Sequence, residues 1–219
     1  MSLAHAEQFG SPSRGLLLLG AAASIALLMA LVLHLSLPPL SAHMLTHVLT
    51  MGVIAPVTAV LLLRNGWSIV GSVVPSLLLA GGTQLLLLSF WHLPFALELA
   101  HSTALVAVTM HLSLLFVAIW FWAVVAASDP QHRPAAIVAL LATGKLFCLL
   151  GAFLAFAPWP FYSHIHADAH MHMGVQALAD QHAAGLIMLL MCPLTYVGAS
   201  IILTLKALGD DTACELDRY

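Results

Sequence analysis

The stretch HMLTHVLTM places His43, Met44, His47 and Met51 within nine residues. On a helix, spacings of four put His43, His47 and Met51 on one stripe, with two imidazoles one turn apart. Such a pair can grip a single ion. Zinc metalloproteases use the same spacing, but with a glutamate directly after the first histidine as the catalytic base; here Met44 stands there. Methionine points instead to a soft ion, because thioether sulfur favours Cu(I). The mixture recurs at His164, His166, His170, Met171, His172 and Met173, a run suited to collecting copper. Asp180 and His182 could complete a ligand set, as could His111, and Glu98 lies one turn before His101. His34, His92 and His101 read singly as hydrogen-bonding anchors at a membrane interface.

These residues must be positioned by elements that lie in lipid. Of 219 residues, 62% are hydrophobic and 7% charged, against about 25% charged in ordinary soluble domains. A water-facing surface cannot be built from that composition. The chain is therefore expected to be all-α, a polytopic helix bundle in the bilayer. A crossing takes about 20 apolar residues, and six segments qualify: Gly15 to Leu35, Leu40 to Leu63, Trp67 to Phe90, Leu99 to Ala127, Pro134 to Ala157 and Gln176 to Leu208. The first reads as an uncleaved anchor. The expected organisation is a cytoplasmic segment at 1–14, a six-helix domain at 15–208 and a cytoplasmic tail at 209–219.

Five of the six basic residues set the orientation. Arg14, Arg64, Arg133, Lys206 and Arg218 flank the spans at alternate loops, and the positive-inside rule then puts both termini in the cytoplasm. The loops at Pro38-Pro39, Trp91 to Glu98 and Pro158 to Val175 face outward. Most of the thirteen histidines fall in the outer half. The net charge of -3 excludes a basic nucleic-acid surface, and three cysteines without a Cys-x-x-Cys pair exclude a thiolate cage. Lys145 falls in mid-span, where it could pair with Asp180 or with backbone carbonyls.

Three chemistries remain open at this point. The first is copper binding by His and Met, followed by handover. The second is an intramembrane zinc hydrolase in which Asp180 or Glu98 activates water. The third is a haem-binding electron carrier with axial histidines from facing helices.

Four segments together resemble the polytopic CtaG family of cytochrome c oxidase assembly factors: HMLTHVLTM, WHLP at Trp91 to Pro94, the stretch from His111 to Phe121-Trp122, and DQHAAGLIM from Asp180 to Met188. The stretch GAFLAFAPWPFY from Gly151 to Tyr162 is similar to that family's approach to an outward loop. The resemblance implies a multi-pass protein of the bacterial inner membrane that supplies copper to an oxidase metal centre. Its implied partners are the lipid bilayer, oxidase subunits and a periplasmic copper chaperone. Two positions depart from the pattern: Ala107 stands where a histidine paired with His111 is expected, and Leu189 where tryptophan is expected.

Overall fold

A computed structural model describes residues 36–68, 71–162 and 173–216. The expected span from Gly15 to Leu35, the segment 1–14 and the loop histidines, His170 and His172 among them, lie outside the described residues. Within those residues every regular element is helical. The first span comprises α1 (Pro39–Leu49), a π turn (Thr50–Ile54) and α2 (Ala55–Arg64). Then come α3 (Val73–Trp91), a short α4 (Pro94–Ser102), α5 (Ala104–Ala126) and α6 (Arg133–Phe156). The last span comprises α7 (Met173–Cys192), a second π turn (Pro193–Val197) and α8 (Gly198–Leu216). Five of these helical stretches are long and apolar enough to cross a membrane.

Two expected boundaries are corrected. Trp67 does not open a span. The glycine after Asn65 adopts φ 87°, Trp67 N–H bonds Leu62 O at 3.1 Å and Gly66 N–H bonds Leu63 O at 3.2 Å. This paired closure ends α2 and is available cheaply only to glycine, and the next helix waits until Val73. The span expected from Leu99 to Ala127 is also two helices. Thr103 is extended (φ -132°, ψ 112°) and separates α4 from α5, a conformation that a β-branched residue adopts readily.

Both π turns have a local cause. The first ends two residues before Pro56, which has no N–H to offer the preceding turn. Met51 O is satisfied instead by the Trp122 indole N–H from α5, at 2.8 Å. The second begins at Pro193, and the Thr195 hydroxyl there donates to Met191 O and Cys192 O, both at 3.1 Å. A side chain competing for helix carbonyls loosens the local turn.

The spans close a circuit: α1 packs on α7, α7 on α6, α6 on α3, α3 on α5, and α5 on α2. Among the described glycines, Gly185 mediates helix packing most directly. A Cβ there would sit 2.7 Å from Gly151 O on α6, so these two helices touch backbone to backbone. Gly82 and Gly198, by contrast, face open space. Lys145 is exposed on α6 and is not paired with Asp180.

Candidate metal centre

His43 and His47 project from successive turns of α1, and their Nε2 atoms lie 2.8 Å apart. His111, two turns into α5, lies nearly parallel to His47, with ring centroids 5.1 Å apart. One nitrogen from each of the three falls within 4.8 Å of the others. His43 and His47 are buried. The element that makes this possible is the α1 stripe facing the start of α5, so residues 64 positions apart in sequence share one site.

Hydrogen bonds fix which nitrogens are free. The His111 Nδ1–H donates to Ala107 O at 2.7 Å, since a carbonyl can only accept. In the neutral ring Nε2 then carries a bare lone pair, as metal-binding histidines usually do when the other nitrogen is held by a carbonyl. His92 repeats the arrangement: its Nδ1–H donates to Leu88 O at 2.6 Å, and its Nε2 faces Met44 Sδ at 3.2 Å. Two lone-pair donors facing each other without a proton between them form an electron-rich pocket for a cation.

His92 and His101, read from sequence as isolated anchors, stand against the cluster. Their ring centroids lie 6.3 and 5.4 Å from that of His43. His92 is held there by Tyr162, whose hydroxyl donates to His92 O at 2.6 Å. Burial pushes the Tyr162 hydroxyl up to about 12, so it remains a donor at any physiological pH. Sequence reasoning had the signal, since His92 sits in the WHLP stretch, but only the fold brings that helix end to α1.

Asp180 and His182 have different partners. The Asp180 carboxylate accepts from Leu40 N–H at 2.8 Å, Ser41 N–H at 2.9 Å and the Ser41 hydroxyl at 2.5 Å. It caps the start of α1, where no side chain of α1 does so. The Gln181 side chain accepts from Phe161 N–H at 2.7 Å, and His182 Nε2–H donates to Ala157 O at 2.9 Å. Three consecutive residues thus tie α7 to α1, to the loop after α6 and to the end of α6. The triad His43, His47 and His111 forms without Asp180 and His182.

The donor set suits an ion. His47 Nδ1 is buried with no hydrogen-bond partner, so that ring is held only through Nε2, the nitrogen that faces His43. A tetrahedral ion at about 2.0 Å from each nitrogen needs them about 3.3 Å apart. The His43–His47 pair must therefore open by only about 0.5 Å, within side-chain rotation. Met51, the last member of the expected stripe, lies in the π turn and lines a small cavity with Met44 and His47.

Residues 11–209 match the sequence model of the Caa3_CtaG family, described as cytochrome c oxidase caa3 assembly factors. Comparison with curated proteins and with solved structures gave no match.

Proposed function

The chain belongs to the Caa3_CtaG family of cytochrome c oxidase caa3 assembly factors, and from that premise we propose that it carries copper to an oxidase metal centre. In this reading it is a multi-pass protein of the bacterial inner membrane, with both termini cytoplasmic and the histidine end of the bundle facing outward. Copper is cargo, and no substrate is turned over. His43, His47 and His111 hold the ion, with Met44 and Met51 beside them. His170 and His172 collect it, and a periplasmic copper chaperone is the donor.

The observation that carries this reading is the convergence of three imidazoles from two helices within 4.8 Å, with the His111 Nε2 lone pair free. Handover favours an ion held by few neutral donors, which can be exchanged for those of an acceptor without breaking a thiolate cage. The proximity of Met44 Sδ to His92 Nε2 favours copper over zinc. Hydrolysis is less well supported, because among the described residues no carboxylate joins the cluster and Asp180 is engaged at the α1 terminus. Haem is less well supported too: the facing-helix rings of His47 and His111 stack nearly parallel with centroids 5.1 Å apart, whereas two axial imidazoles aim their nitrogens at one iron from opposite sides of a macrocycle.

Metal analysis of purified protein reconstituted under reducing conditions tests the reading. Copper is expected at stoichiometric levels, and H43A/H47A should lose it and impair oxidase maturation. Unchanged copper content and maturation in that variant would overturn the site.

A further inference from the structure

Below the imidazole cluster lies a cavity of about 20 Å³ lined mainly by the first and last spans, with Leu88 and His92 from the end of α3 and Phe147 from α6. A water-sized occupant needs about 10–15 Å³ by this measure, so the space holds one small species. Its wall is rich in sulfur: Met44, Met51, Met188 and Cys192 all line it, together with His47 and His92. The four sulfur residues are almost completely buried, between 0% and 5% exposed. Three of them come from positions that packing alone could fill with leucine.

Two further observations single the cavity out. Both π turns contribute to it, the first through Met51 and Gly52 and the second through Thr195 and Tyr196. Widened turns cluster at functional sites because they aim side chains and carbonyls that a regular helix would not. In addition, His47, whose Nδ1 has no partner, lies on the cavity wall. A closed apolar chamber normally leaves no polar atom unsatisfied.

We propose that this chamber is a second copper site, selective for Cu(I), one step deeper than the imidazole cluster and joined to it through His47, His92 and Met44. The proposal rests on the copper reading for the identity of the cargo; the chamber shares His47, Met44 and Met51 with that reading, while Met188 and Cys192 belong to the chamber alone. Thioethers bind soft monovalent ions and discriminate against zinc. A dry wall also penalises a doubly charged ion more heavily than a singly charged one. Cys192 binds as the thiolate, its proton being released to the buffer as the Cu–S bond forms, so that one negative charge offsets the one positive charge. Along the path from exposed His101 through His43 and His47 to the chamber, donors change from nitrogen to sulfur. An ion entering as Cu(I) is therefore held progressively by softer ligands.

The test uses full-length protein in lipid nanodiscs, titrated anaerobically with Cu(I) against a competing chelator and followed by copper-edge absorption spectroscopy. Wild type should take up two equivalents and show both nitrogen and sulfur scattering, with release of one proton for the sulfur-bound equivalent. M51L/M188L/C192S, which keeps side-chain volume close to native, should lose one equivalent and the sulfur shell but keep the imidazole shell. H43A/H111A should keep the sulfur-bound equivalent. Nitrogen scattering alone in wild type at saturation would overturn the chamber while leaving the imidazole site standing, and this result requires no variant to fold. Loss of all copper in H43A/H111A would likewise sink the chamber alone. Wild type that binds no Cu(I) at all would sink both readings.

Discussion

The Asp180 carboxylate accepts three hydrogen bonds from the first turn of α1, two from backbone amides and one from a hydroxyl. Its charge lies at the positive end of that helix dipole, in a site that is 4% exposed. Removing it leaves buried donors without acceptors, which costs about 1–3 kcal/mol for an unsatisfied group, and contributions within one network are not additive. D180A should therefore lower unfolding stability by about 2–3 kcal/mol in detergent, with D180N intermediate because only its oxygen accepts. Amide exchange should rise at Leu40 and Ser41 before it rises elsewhere. Copper added to the folded fraction should keep the same nitrogen shell, since the imidazole triad does not use this carboxylate. A ligand role would give the opposite pattern, with stability near wild type in D180N and an oxygen scatterer lost. Denaturation curves paired with copper-edge spectra of the two variants decide between them.

At the scale of helices, the contact between α6 and α7 has no room for a methyl group at Gly185, where a Cβ would meet Gly151 O at 2.7 Å. G185A must push two backbones apart, and overpacking of that kind costs about 1–3 kcal/mol. G82A, a substitution of the same chemistry at a position facing open space, should be neutral or mildly stabilising, because alanine is the better helix former. Thermal melts of the pair in one detergent check this, and equal losses would mean that the close approach is not where stability resides. The contrast also marks how far the sequence could be read. Hydropathy located the described spans, since crossing lipid is a one-dimensional constraint on length and composition. It could not separate Gly185 from Gly82, because both sit in apolar helices and only the neighbouring helix distinguishes them. The same limit applies to the site. His43 and His47 were legible because their spacing is local, and His111 entered as one completing candidate among several. His92 and His101 were not, because their distance to α1 depends on how α3 and α4 end. The chamber was still less legible, as Met188 and Cys192 look like ordinary core until two widened turns are set side by side.

For the molecule as a whole, the direction in which the histidine end faces decides whether the site can receive an ion from outside the cell. Asp180 binding to Leu40 and Ser41, and Tyr162 binding to His92, put the starts of α1 and α7 at the same end as the end of α3 and the loop after α6. Arg64 and Arg133 lie one helix length away, at the end of α2 and the start of α6. Basic residues in short loops remain cytoplasmic because translocating them is costly. The separation of arginines from histidines along the bundle therefore predicts an outward site. Alkaline phosphatase, active only outside the cytoplasm, should be active when fused after Pro160 and inactive when fused after Asn65 or Asp129. The reverse pattern would leave the fold and the imidazole triad intact but would open the site to the cytoplasm, and delivery from a periplasmic chaperone would then be geometrically impossible. Basic substitutions sharpen the test. Placing arginines in the loop after α6 while neutralising Arg64 and Arg133 should shift a measurable fraction of molecules to the inverted orientation, and that fraction should fail to support oxidase maturation even though its ligands are unchanged.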